Sequence, residues 1–77
     1  MEVLRLRDLE TGQRARVRAL ELDGSMRRRL RDIGLIEDTP VECLGVSSGG
    51  SPKAFLIRGI ALALRAEDSG GMWVERI

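Results

Sequence analysis

Between residues 14 and 19 charged and apolar side chains alternate, with Arg14, Arg16 and Arg18 set against Ala15, Val17 and Ala19. A period of two belongs to a half-buried strand, so this stretch predicts a strand with a row of arginines on its outer face. The pair Asp23-Gly24 breaks it, and the period then changes. From Ser25 onward Met26, Leu30 and Ile33 fall within one narrow arc at about 100° per residue, while Arg27, Arg28, Arg31 and Asp32 point elsewhere. That spacing predicts a short helix over about residues 25–33. Ser25 is the expected N-cap, and Gly34 the expected left-handed stop, with Leu35 folding back on the last turn. In that frame Arg27 and Arg28 crowd the positive end of the helix dipole and Asp32 sits at the negative end. Each misplacement costs about 0.3–1 kcal/mol when exposed. A local rule broken without structural return marks a place to look for function.

Around this helix the pattern is one of strands. Leu6 and Leu9, three apart, suit a single helical turn that Thr11-Gly12 closes. The turn Glu37-Asp38-Thr39-Pro40 leads into a second strand, roughly Val41 to Val46. Residues 47–52 (Ser-Ser-Gly-Gly-Ser-Pro) read as a flexible loop with no side chain able to pack. With Arg58-Gly59 as a two-residue hairpin turn, Ile57 faces Ile60 and Phe55 faces Leu62 on one side of the ribbon. Leu56 then pairs with Ala61 and Ala54 with Ala63 on the other. Both faces are apolar, so each is expected to be covered. A turn at Ser69-Gly70-Gly71 introduces a last strand, with Met72 and Val74 on one face and Trp73 and Glu75 opposite. The sum is a mainly β chain: a small SH3-like β-barrel of about five strands, with one short helix and an N-terminal helical turn, expected to be a single domain over 1–77.

Composition narrows the function classes. With 77 residues the core is small, and the usual staples are scarce: one cysteine and no histidine. An internal disulfide needs two cysteines, and a structural zinc site needs four Cys or His ligands. Cys43, in an apolar strand-like run, is expected to be a small core residue, and one unpaired thiol fits a reducing compartment. No signal peptide or membrane-length apolar run is present, so a cytoplasmic location is expected. The 13 basic and 12 acidic residues nearly balance, and all basic residues except Lys53 are arginine. Without histidine no Ser-His or Cys-His pair exists. The adjacent carboxylates Glu37-Asp38 and Glu67-Asp68 fall in expected turns, where such residues are ordinarily solvated. The segment Ser48-Gly49-Gly50-Ser51-Pro52-Lys53 lacks the Gly-x4-Gly-Lys-Ser/Thr spacing of a phosphate loop. No enzyme, cofactor or resident metal is expected. Oxygen ligands for a weakly held divalent ion could come only from scattered carboxylates such as Asp23, Glu37 and Asp38.

The ordered set Leu6, Leu9, Gly12, Ala15 and Val17, Arg29-Leu30, Gly34-Leu35, Thr39, Val41, Pro52, Gly59-Ile60-Ala61-Leu62, Leu64-Arg65, Met72 and Val74 resembles the FeoA family of ferrous-iron transport accessory proteins. The match runs along nearly the whole chain. Each residue is a structural one, so the order carries the weight. Two positions depart from the pattern: Asp38 where the family commonly has a turn glycine, and Ser69 where it commonly has alanine. The resemblance implies a cytoplasmic adaptor acting with the large membrane transporter FeoB and its GTP-binding domain. The same domain also occurs at the C-terminal end of DtxR-type metalloregulators; with no helix-turn-helix segment ahead of Met1, the free-standing form is the expectation. If a GTPase is involved, the nucleotide chemistry belongs to the partner.

Two classes of function therefore remain. One is a protein-binding module, for which Arg27, Arg28 and Arg31 are the candidate partner-binding residues and Trp73 the next. The other is a nucleic-acid-binding small barrel using Arg14, Arg16, Arg18, Arg27, Arg28 and Arg31. Interleaved acidic residues, near-zero net charge and only two aromatic residues, Phe55 and Trp73, weigh against the second.

Overall fold

The structure is a computed structural model and describes residues 2–77. In chain order it contains strand β1 (Val3–Arg5), a 3-10 turn (Leu6–Asp8), β2 (Arg14–Leu20), helix α1 (Gly24–Asp32), β3 (Pro40–Val46), β4 (Lys53–Ile57), β5 (Ile60–Leu64), a one-turn helix α2 (Ala66–Ser69) and β6 (Met72–Arg76). The strands form one antiparallel sheet in the order β1-β6-β2-β3-β4-β5. Leu6 and Leu9 from the N-terminal turn, Leu30 from α1 and Leu35 after it join the inward residues of the strands in one buried core. Cys43 is part of that core, opposite Phe55.

Six strands are present, in line with the expected number of about five, and the additional one is β1. Val3–Arg5 is too short to show a period of its own, and β6 holds it, pairing Leu4 with Val74 and Arg5 with Trp73. Likewise, Glu67 and Asp68 lie in α2 rather than in a plain turn. Ser69 is buried there, and its hydroxyl donates to the Arg65 carbonyl at 3.1 Å. Ser51 corrects the picture of a loop without packing side chains, because its Oγ accepts the Ala66 N–H at 3.1 Å. The sole lysine is a strut: Lys53 Nζ donates to the carbonyls of Arg7 and Leu9 at 2.8 and 2.9 Å, tying β4 to the 3-10 turn.

The alternation in β2 holds for Ala15 and Val17 and then fails. A bulge between Val17 and Ala19 inserts Arg18 out of step, so Ala19 is exposed and Leu20 turns partly inward. The β4–β5 hairpin has the expected register throughout, from Ile57–Ile60 to Ala54–Ala63. Its turn puts Arg58 at φ 51° and Gly59 at φ 82°, the double positive φ of a type I′ turn. Only one face of the ribbon is covered, however. Phe55 and Ile57 are buried, whereas Leu56 and Ala61 on the other face are exposed.

Helix α1 begins earlier than expected, and Ser25 is not its cap. Asp23 is: its carboxylate accepts the Met26 N–H at 3.1 Å and the Ser25 hydroxyl at 3.0 Å. Those donors, Met26 first, hold the Asp23 carboxyl below its ordinary range. The shift of frame also changes the charge balance. Asp23 now complements the positive end of the dipole, Arg29 and Arg31 fall favourably in the last turn, and only Asp32 remains misplaced. The stop is as expected. Gly34 adopts φ 92°, Leu35 N–H donates back to the Leu30 carbonyl, and Gly34 N–H to that of Arg31, a complete Schellman pattern. Buried Thr39 braces this exit, donating to the Gly34 carbonyl and accepting from Ile36 N–H, both at 3.0 Å.

Candidate functional site

Residues four apart share a helix face, which groups Arg27 with Arg31 and turns Arg28 aside. Arg27 and Arg31 overlook a groove of about 340 Å³ between α1 and β2, whose walls include Arg18, Leu20, Leu35 and Ile36. Ile36 is half exposed at its edge, an apolar contact beside two guanidinium groups. Among the described residues neither Arg27 nor Arg31 makes a salt bridge or a side-chain hydrogen bond. Exposed guanidinium groups in such a setting are suited to bidentate pairing with carboxylates. Arg28 is exposed but outside the groove.

The arginine row of β2 is in a different condition. Arg18 reaches Asp38 at 3.2 Å and Glu75 at 3.1 Å, with the Glu75 side chain largely buried. Arg16 donates to the Asp38 carbonyl at 3.5 Å. The Asp38 backbone is left-handed, φ 71°, a conformation Asp tolerates better than most side chains. Neither Asp38 nor Glu75 stood out as a partner in the sequence. The usable signal was Asp38 itself, a carboxylate at a turn position suited to glycine.

Trp73 is not the freely outward ring that strand alternation implied. It is half buried, its indole N–H donates to a Glu21 carboxylate oxygen at 2.6 Å, and the Arg5 guanidinium lies 4.7 Å from its ring centroid. It lies opposite Ala19 but does not line the groove, so the structure separates it from Arg27 and Arg31. Of the carboxylates weighed as oxygen ligands, Glu37 lines the same groove as Arg27 and Arg31. Asp23 caps α1 and Asp38 holds Arg18, and among the described residues no three Asp, Glu, Cys or His gather as a metal cluster. No helix among the described residues is long and apolar enough to cross a membrane.

The sequence profile described as the FeoA domain matches residues 4–76. The chain belongs to the FeoA family. Among solved structures it is similar to the FeoA protein from Chlorobium tepidum, at 28% identity and a TM-score of 0.92, over 96% of this chain and 70% of that one. It is also similar to FeoA from Stenotrophomonas maltophilia complexed with zinc and described as an SH3 domain protein, at 24% identity and a TM-score of 0.81, over 94% of this chain and 89% of that one. A manganese-dependent transcriptional repressor shares the fold at 18% identity and a TM-score of 0.86, with this chain spanning 42% of the repressor. The last two likenesses establish the SH3-like fold alone. No curated protein matches the chain. Asp38 bears on the groove because it pairs with Arg18 at the groove's wall.

Proposed function

We propose that this FeoA-family chain is a non-enzymatic accessory protein of ferrous-iron transport, a single cytoplasmic domain that docks on the cytoplasmic GTPase domain of an FeoB-type transporter. The observation that supports it is the pair of unengaged guanidinium groups, Arg27 and Arg31, over a groove edged by exposed Ile36. An acidic partner segment carrying one apolar side chain complements all three. Ferrous iron is the transporter's cargo, and this chain contributes binding rather than chemistry. The positive rim accelerates encounter with the acidic surface, which makes association depend on ionic strength.

The test is a titration of the protein with the isolated cytoplasmic domain of an FeoB-type transporter at low and high salt. Saturable binding that weakens with salt, and that falls at least about tenfold in Arg27→Glu/Arg31→Glu, is expected. Equal binding by parent and double variant would move the interface away from this groove; no binding at all would remove the adaptor role. The likeness to a manganese-dependent repressor favours a second reading, a domain associated with a metalloregulator, for which the transporter titration stays blank. Use of the barrel on nucleic acid is disfavoured because Arg18, in the arginine row of β2, is already paired with Asp38 and Glu75. Oligonucleotide binding with a steep salt slope would reverse that judgement.

A further inference from the structure

The strand order β1-β6-β2-β3-β4-β5 leaves β1 and β5 each with one unpaired side, and the two sides are treated differently. The β1 edge is three residues long and includes Arg5, with a Glu2–Arg76 ion pair beside it. The β5 edge, Ile60-Ala61-Leu62-Ala63-Leu64, has five apolar residues and no charge, proline or bulge. Edges of that kind are templates for another strand, and proteins ordinarily blunt them. The hairpin fixes which groups are on offer. In a two-residue hairpin the flanking pair exchanges ladder bonds, so Ile60, Leu62 and Leu64 bond to β4 while the N–H and C=O groups of Ala61 and Ala63 point off the edge. Among the described residues no other element takes them.

We infer that β5 is a self-association edge that pairs antiparallel with β5 of a second copy, on a two-fold axis at Leu62. The strand is its own complement in this register. Ile60 of one copy stands opposite Leu64 of the other, Leu62 opposite Leu62, and Ala61 opposite Ala63, so large apolar residues meet on the inner face and alanines on the outer. The four outward-pointing groups of each copy find their partners, giving four hydrogen bonds across the axis. A slip of one residue would set outward groups against groups already bonded to β4. The strand carries no charge that would repel its twin. Beyond its ends, Arg58 of one copy lies toward the α2 segment of the other, where Glu67 and Asp68 outnumber Arg65. Exposed Leu56, beside Ala61, extends the apolar outer face of the joined sheets.

Sedimentation velocity across micromolar to millimolar protein tests the inference, together with amide exchange at both ends of the range. The parent should shift from monomer to dimer, with the Ala61 and Ala63 amides becoming protected only at high concentration. Ala63→Pro removes an N–H that the intramolecular ladder does not use, and therefore two of the four intermolecular bonds. Dimerisation should weaken about tenfold or more. Ala61→Lys places a charge on the exposed face of the same strand without touching the core and should have the same effect with the thermal transition of the dilute protein unchanged. A parent that stays monomeric throughout would overturn the inference. So would a dimer that both folded variants form as well as the parent does.

Discussion

Arg16 and Arg18 on β2 and Arg27 and Arg31 on α1 are all exposed arginines, and they look alike in the sequence. In the fold they are opposites. On β2, Arg18 is held by the carboxylates of Asp38 and Glu75, which come from a turn and a strand far along the chain, and Arg16 touches only the Asp38 carbonyl. The α1 pair has no partner among the described residues and faces a groove with an apolar edge. Availability, and not charge, separates a structural arginine from one that can recognise something else. It depends on long-range neighbours: Asp38 reaches Arg18 only because the sheet brings β2 and β3 together behind a left-handed turn.

Removing the anchor of α1 breaks the contrast most severely. Leu30 is the one fully buried residue of that helix and the centre of its apolar stripe. Truncating a buried leucine to alanine costs about 2–5 kcal/mol, against a total of about 5–15 kcal/mol for an ordinary domain. Leu30→Asp adds an unpaired buried charge to that loss, so no cooperative thermal transition is expected. Leu30→Ala should melt cooperatively at a lower temperature. A parent-like melting curve for Leu30→Asp would mean that α1 does not rest on the core through this residue.

Reversing the free arginines should change binding and leave folding alone. In Arg27→Glu/Arg31→Glu, Arg31 gives up a favourable place in the last turn, while the glutamate at 27 is slightly better placed toward the N-terminus. The net change in stability should stay within about 0.5 kcal/mol, as for most surface substitutions. Partner affinity should fall about tenfold or more. Arg28→Glu, outside the groove, is the control and should bind as the parent does. Equal losses from Arg28→Glu and the double variant would mean that overall charge, and not the groove, attracts the partner.

How much of this could be read in advance follows from where the determining contacts lie. The β4–β5 register was legible to the residue, because a two-residue turn and the pairing of large apolar side chains are both local. Leu30 and the Gly34 stop were legible for the same reason. Ser25 is not the cap of α1: Asp23 and Ser25 are both good caps two residues apart, and in the fold the Ser25 hydroxyl donates to the Asp23 carboxylate that holds the Met26 N–H. The bulge at Arg18 left no mark, since Ala19 is apolar in either phase. At the site, the grouping of Arg27 with Arg31 follows from helical spacing. The capture of Arg18 does not, because its partners lie 20 and 57 residues away, on elements whose meeting only the whole sheet determines.

Smaller effects measure how firmly the β2 arginines are held. Arg18→Ala removes an exposed contact to Asp38, worth about 0.2–1 kcal/mol and screened by salt, and leaves the largely buried Glu75 carboxylate without its partner. A loss of about 1–3 kcal/mol is therefore expected, only partly reduced as salt is added. Thermal unfolding at low and high salt checks it. A loss beyond that range would point to the aliphatic stem of Arg18 in the bulge rather than to its charge.

The finest test turns a held arginine toward freedom. Asp38 does two things at once: it accepts a left-handed φ of 71° and it presents a carboxylate to Arg18. Asp38→Asn keeps a side chain that tolerates left-handed backbone but loses the charge, so it should cost about 0.2–1 kcal/mol, with the difference vanishing at high salt. Asp38→Gly loses the same ion pair but also relieves the left-handed conformation, at the expense of a more flexible unfolded chain. These terms oppose each other, so Asp38→Gly should lie within about 1 kcal/mol of Asp38→Asn. Either change leaves Arg18 with Glu75 alone and makes its guanidinium more available at the wall of the groove that Arg27 and Arg31 overlook. Binding of an acidic partner should then tighten modestly and depend more steeply on salt. Unchanged affinity and slope in both variants would place Arg18 outside the recognition surface, leaving Arg27, Arg31 and Ile36 as its working parts.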